Sequence, residues 1–236
     1  MKTFLRISAV VLLFLPSLAF ADSATVGSYD GVNCYPFMCN DSGLSSGRSI
    51  VYQEAYNASA FSGPLTIQSM GWEFNPIRGG LPIVLGGVYD FYLGYSANGM
   101  ALTTDFAHNY GATPVYTEIG EMIVPAGGLN YGSELVFQSS TPFYYDPSQG
   151  DLLLSVLAYN QDNVPNYTGN GYNWADYTGV DVIRAADVTG TWESGAITGA
   201  LVTTFDPVPE PGSLLLFGTG LVALGGALRR KFAHRG

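Results

Sequence analysis

Apolar and polar residues alternate along most of the middle of the chain. In "VYDFYLGYS" (88–96), Tyr89, Phe91, Leu93 and Tyr95 share one parity, and Asp90, Tyr92 and Gly94 the other. A period of two places successive side chains on opposite faces of a strand, so this segment predicts a half-buried strand. "PLTIQSMGWEFN" (64–75) alternates through Leu65 and Ile67, then changes phase to Met70, Trp72 and Phe74. A phase change inside one strand predicts a bulge near Ser69-Met70. "DLLLSVLAY" (151–159) is a continuous apolar run, as expected of a strand covered on both faces. "SIVYQEAYN", "PVYTEIGEMIV", "ELVFQSS", "GVDVIRAA" and "ITGALVTTF" add further strands. Long helical patterns are missing from this region. About eight to ten short strands separated by Gly, Pro, Asn and Asp turns predict an all-β fold, a single β-sandwich of jelly-roll or Greek-key type. "NYTGNGYNWADYTG" (166–179) reads as a long loop, and "DPVPEP" (206–211) as a Pro-rich spacer outside any sheet.

The two ends follow different rules. Lys2 and Arg6 precede an apolar stretch from Ile7 to Phe20, and Ala19 and Ala21 stand at the small-residue positions of an Ala-x-Ala cleavage site. This order is that of a secretory signal peptide over 1–21, with Asp22 as the first mature residue; a retained anchor is the alternative. At the other end, residues 213–228 carry no charge and are followed by Arg229, Arg230 and Lys231. A helix of that length is short for a hydrocarbon core of about 30 Å, yet its glycines suit a membrane helix and the basic cluster suits a stop on the cytoplasmic side. The expected organisation is therefore a signal (1–21), a β-domain (22–205), a Pro-rich linker (206–212), a transmembrane helix (213–228) and a basic tail (229–236).

Removing both ends changes the charge picture. Residues 22–208 hold 18 of the 19 acidic residues of the chain against Arg48, Arg78 and Arg184, with no lysine, a formal charge of about −15. Such a surface repels nucleic acid and anionic lipid. Cys34 and Cys39 are the only cysteines, and in an exported chain they are expected to pair, fixing the local path into the first strands. Neither a reactive thiol nor a zinc site has the partners it needs nearby.

Little catalytic chemistry is legible. "GLSSG" (43–47) matches G-x-S-x-G at Ser45, but no strand–turn–helix context surrounds it and the one later body histidine, His108, lies on a loop. Glu54, Glu73 and Asp90 are the strand-borne candidates for a glycosidase carboxylate pair, a reading that needs two of them in one groove. "DPSQGD" offers Asp146 and Asp151 as calcium ligands, the simpler reading being a turn capped by Asp146. Tyr167, Tyr172, Trp174 and Tyr177, interleaved with asparagines, are candidate glycan contacts; the alternative is that these rings cover a sheet edge.

Val208-Pro209-Glu210-Pro211, then an apolar segment, then Arg229-Arg230-Lys231, resembles the PEP-CTERM sorting signal of exported bacterial proteins. The resemblance implies that Pro209, Glu210 and Pro211 form a motif read by exosortase, a membrane protease of Gram-negative, often exopolysaccharide-producing bacteria. It also implies transient residence in the inner membrane, then the cell surface, biofilm or extracellular matrix. "CYPFMC", "RSIVYQEAYNASAFSGPLTIQSM" and "FYYDPSQGDLLLSV" resemble segments of extracellular parts found in that family, without carrying catalytic residues across. The expected function is a non-enzymatic surface or exopolysaccharide-matrix protein with weak glycan binding. The alternatives are a secreted carbohydrate-active enzyme on a jelly-roll scaffold and a permanently anchored adhesin.

Overall fold

The computed structural model describes residues 23–39, 48–110, 116–161, 171–188, 191–192 and 197–207. Fifteen strands occur among the described residues: β1 (Ala24–Val26), β2 (Gly31–Asn33), β3 (Arg48–Tyr56), β4 (Leu65–Glu73), β5 (Ile83–Val84), β6 (Gly87–Tyr95), β7 (Thr117–Val124), β8 (Leu129–Asn130), β9 (Glu134–Tyr145), β10 (Leu152–Gln161), β11 (Asn173–Asp176), β12 (Val182–Val188), β13 (Thr191–Trp192), β14 (Ala200–Leu201) and β15 (Thr203–Pro207). One short helix, α1 (Phe106–Asn109), lies in the connection between β6 and β7. The described residues are thus mostly strand, and Ser23–Val208 forms one compact unit. No helix among the described residues is long and apolar enough to cross a membrane. The signal peptide, the transmembrane segment 213–228 and the basic tail lie outside the described residues.

The strands assemble into a four-stranded sheet (β1-β15-β4-β9), a six-stranded sheet (β13-β12-β3-β10-β6-β7), a three-stranded sheet (β14-β11-β2) and the β5-β8 pair. Every described pairing is antiparallel. There are more strands than the turn spacing predicts, because two- and three-residue pairings carry no alternation long enough to read.

The apolar faces of the two larger sheets contribute to one core. Tyr89, Phe91 and Leu93 of β6, with Leu152, Leu154 and Val156 of β10, cluster with Ile67, Met70 and Trp72 of β4 and Phe137 and Tyr145 of β9. The opposite face of the six-stranded sheet is partly covered by the segment between β6 and β7, where Leu102 is buried with Ala55, Leu153 and Ala185, and Phe106 and Tyr110 pack against them. This double covering explains the unbroken apolar run of β10, whose residues Leu152 to Val156 are all buried.

The phase change in β4 is a register break. β4 pairs with β9 as Ile67↔Phe143 and then Ser69↔Gln138, and its register with β15 breaks between Asp206 and Pro207. Ile67 and Met70 thereby both reach the core despite opposite parity.

Two expectations need correction. The stretch 166–179 is not all loop: Asn173–Asp176 is a strand, pairing with β2 and β14. Its buried Asn173 and Asp176 disguise it, because polar residues stand where the pattern demands apolar ones. The "DPVPEP" stretch does enter a sheet, since β15 runs through Asp206 and Pro207, two residues past the expected domain boundary at 205. β1 pairs with β15 only as far as Phe205, so Pro207 lies beyond that neighbour. A proline, lacking an N–H, is tolerated where one side of the strand has no partner.

Candidate functional site

The candidate catalytic carboxylates fall in three different environments. Glu54 points into the core and is completely buried. One of its oxygens accepts from the Tyr52 hydroxyl and from the Leu201 N–H, and the other accepts from the Tyr56 hydroxyl at 2.5 Å. Tyr56 also meets the Thr203 hydroxyl at 2.9 Å, and Thr203 accepts from the Trp72 indole N–H at 3.0 Å. Burial pushes the Glu54 carboxyl up to about 7, against the pull of its three hydrogen bonds and of the Arg184 charge. Burial beside that carboxylate pushes the Tyr52 and Tyr56 hydroxyls well above the ordinary tyrosine value. Every described contact of this carboxylate lies in the core, where it links Tyr52, Tyr56 and the Leu201 backbone. Glu73 stands in register with Glu134 on the four-stranded sheet. Asp90 lies on the outer face of the six-stranded sheet, in register with Glu121 and Leu157. The three do not converge on one groove.

The expected calcium ligands are engaged separately. Asp146 caps the turn Pro147–Gln149, its carboxylate accepting from the Ser148 N–H at 2.9 Å, and hydrogen bonds from the Ser148 side chain and N–H hold its carboxyl below the usual range. Asp151 accepts from the Ala58 N–H at 2.7 Å. Among the described residues no three His, Cys, Asp or Glu side chains are placed to hold a metal ion. Ser45 lies outside the described residues, and the exposed His108 has its Nδ1 2.6 Å from Asp105.

Among the described residues of the aromatic stretch, Trp174 and Tyr177 pack in separate places. Tyr167 lies outside the described residues. Trp174 meets Tyr29 edge-on, with ring centroids 5.8 Å apart. Tyr177, of opposite parity, lays its ring on two glycines: a Cβ at Gly31 would sit 1.9 Å from its Cδ2, and one at Gly199 2.9 Å from its Cζ. Its hydroxyl donates to the Val32 carbonyl at 3.0 Å. Half of its surface stays exposed, yet its ring is spent on covering the β2–β11 strands. Tyr172 is half-buried.

Cys34 and Cys39 form the expected disulfide. The ring does more than fix a chain entry. Phe37 and Met38 at its tip are fully buried in the main core. Phe37 packs on Trp72, Tyr89 and Phe91 with centroids 4.8, 5.7 and 6.3 Å away. The Phe37 carbonyl accepts from the Leu85 N–H at 2.9 Å, and the Pro36 carbonyl accepts from the Gln161 side chain at 3.1 Å.

One concave feature among the described residues was not singled out by the sequence. A cavity of about 450 Å³ opens on the outer face of the six-stranded sheet, lined by Val51, Gln53, Tyr92, Phe106, Tyr110 and Tyr116 among others. Tyr110 and Tyr116 lie 4.3 Å apart at 30°, and Tyr92 meets Tyr116 edge-on at 5.7 Å. Beneath them Gln53 is locked in place: its Oε1 accepts from the Asn109 amide at 2.7 Å, and its Nε2 donates to the Phe106 carbonyl at 3.3 Å. Asn109, itself buried, ties the covering segment down by accepting from the Thr103 N–H and donating to the Thr103 carbonyl. Parity could have placed Gln53 and Tyr92 on the outer face. The rings that join them come from a segment whose fold carries no periodic signal.

The C-terminal region supplies the match to known families. Residues 207–231 fit the family model of the PEP-CTERM protein-sorting motif. The chain carries a PEP-CTERM sorting motif. The match spans Pro209, Glu210 and Pro211, the apolar segment, and the Arg229–Lys231 cluster, so it includes all three parts of the signal read from the sequence. The PEP-CTERM motif implies an exported protein that transits a membrane and is a target of exosortase-type processing. No curated protein and no solved structure matches the chain.

Proposed function

We propose that this protein is a non-enzymatic component of the cell surface or exopolysaccharide matrix of a Gram-negative bacterium. A signal peptide (1–21) delivers it, and an exosortase-type membrane protease cuts its C-terminal segment. The observation that carries this reading is the PEP-CTERM match over residues 207–231. The four- and six-stranded sheets, sharing one core, are read as the two layers of a single β-sandwich that is the working molecule. Prolines at 209 and 211 hold an extended backbone around Glu210, a preformed shape for a protease to recognise. The basic cluster resists outward sliding of the apolar segment.

The test is to blot membrane and medium fractions for the β-domain and for a tag on the C-terminus. Glu210→Ala is expected to leave export intact while trapping an uncut membrane-bound form, and deletion of 213–236 to give export without retention. Release of Glu210→Ala at the wild-type level would make the segment a simple anchor, and the protein an adhesin held permanently in the membrane.

The same reading predicts weak binding to extracellular polysaccharide without hydrolysis, because Glu54 is sealed in the core and Glu73 and Asp90 lie on different sheets. Reducing-end assays on the purified protein check this. Sugar release abolished by Glu73→Gln or Asp90→Asn would overturn it in favour of a carbohydrate-active enzyme.

A further inference from the structure

The outer-face cavity is lined by aromatic and apolar side chains around Gln53, and two of its lining residues, Tyr92 and Leu157, stand in register with carboxylates on neighbouring strands. Tyr92 stands in register with Glu118, and Asp90, two residues along the same strand, stands opposite Glu121. The Tyr159 hydroxyl donates to Asp90. We propose that this cavity binds the ammonium-bearing ring of an amino sugar, as a residue of a polysaccharide with free amino groups. The inference rests on the extracellular reading above and names the glycan class that reading leaves open.

Four observations lead to this class. The volume, about 450 Å³, falls in the range of small-ligand pockets and admits a sugar ring with part of a neighbour. The walls offer ring faces and edges from Tyr92, Phe106, Tyr110 and Tyr116, which suit the apolar face of a pyranose and attract a cation through the ring quadrupole. Burial first, and then the charges of Asp90 and Glu118, raise the Tyr92 hydroxyl, and these two carboxylates stand in register with the lining residues Leu157 and Tyr92. Two carboxylates therefore neighbour the lining residues, an arrangement that would repel a uronate or sulfate and draw in an ammonium. The wider domain repeats the sign, with 18 acidic residues against three arginines over 22–208, so a cationic polymer is also steered from a distance. The floor is preorganised, since Gln53 is held by Asn109 and Phe106, and Tyr110 hydrogen-bonds with Ser155 and Gln53. Binding then costs little ordering of that surface.

The experiment is calorimetric titration of the full chain in nonionic detergent with a glucosamine oligosaccharide, its fully N-acetylated form, a glucose oligomer of equal length, and tetramethylammonium. The glucosamine oligomer is expected to bind at least about tenfold tighter than either neutral oligomer, and to weaken as salt screens the rim carboxylates. Asp90→Asn with Glu118→Gln should erase most of that preference while leaving weak, equal binding of all three sugars. Tyr116→Ala should weaken all three by about fivefold or more, and Tyr116→Phe should retain most of the affinity. Thermal melts within a few degrees of wild type show that each variant is folded, and Tyr116 is exposed enough for this to be expected. Equal affinity for the three oligomers, absence of binding, or a preference that survives the double substitution would overturn the proposal. Tetramethylammonium binding as tightly as the amino sugar would also overturn it, assigning the cavity to a small organic cation. None of these outcomes depends on whether the C-terminal segment is cut, so failure here is separable from failure of the sorting reading.

Discussion

Glu54→Ala is expected to destabilise the protein by about 3–5 kcal/mol, a large share of the stability of an ordinary domain. The substitution removes the acceptor of three buried donors, the Tyr52 and Tyr56 hydroxyls and the Leu201 N–H, where water cannot replace it. Glu54→Gln is the informative control. Its amide oxygen can keep the Tyr52 and Leu201 donors, and its NH₂ can donate to Tyr56, which can then donate to Thr203. The pH dependence separates the two states of the wild-type side chain. Its folded value, about 7, lies above the ordinary 4.5, so the folded protein holds a proton that the unfolded chain has already lost. Stability from this group is complete below pH 4.5 and falls as pH rises towards 7. At about 1.4 kcal/mol per unit the fall is on the order of 3 kcal/mol. Urea titrations of wild type and Glu54→Gln from pH 4 to pH 8 should therefore diverge in favour of the glutamine variant as pH rises. Parallel profiles would mean that Glu54 does not carry the proton.

The second large effect is expected at the tip of the disulfide ring. Phe37→Ala should cost about 3–5 kcal/mol, as for other buried Phe→Ala changes, and lower the melting midpoint by roughly 10 °C. Phe37 is completely buried and its ring touches aromatic residues of β4 and β6, so truncation leaves a hole that several rigid rings cannot close. Replacing both Cys34 and Cys39 by Ser should cost less, about 2 kcal/mol, because a ring this small restrains little of the unfolded chain. Differential scanning calorimetry of the two variants gives the ranking. A Cys variant more damaging than Phe37→Ala would show that the covalent link, and not the inserted side chain, dominates.

The long strands were legible because each obeys one rule over many residues. β6 keeps strict alternation, β10 is apolar from Leu152 to Ala158 except for the buried Ser155 because both its faces are covered, and the phase change in β4 marks its register break without ambiguity. β11 was hidden for the opposite reason. It is short, and it places Asn173 and Asp176 in buried positions where hydrogen bonds replace apolar contact: the Tyr131 hydroxyl donates to Asn173 at 2.7 Å, and the Ser28 N–H donates to Asp176 at 3.0 Å. Glu54 looked like any strand carboxylate, although its even parity, shared with Ile50, Tyr52 and Tyr56, already placed it on the core face. The sorting motif was readable because its signal is local and ordered along the chain. The cavity was not, since Gln53, Tyr92 and Tyr116 come from three separated segments and meet only after the six-stranded sheet has formed and α1 has folded across it.

The inserted ring also ties folding to geography. Thiols stay reduced inside the cell and oxidise after export. A chain still in the reducing compartment must bury Phe37 and Met38 without the bond that holds their backbone, and so has a core that is easier to open. Crossing the membrane supplies the missing link, and the buried Phe37 and Met38 are then gripped more firmly. Passage through the export channel favours a chain that has not yet closed, and service outside favours one that stays closed. A six-residue ring, its Phe37 seated among Trp72, Tyr89 and Phe91, lets one sequence meet each demand on its proper side of the membrane.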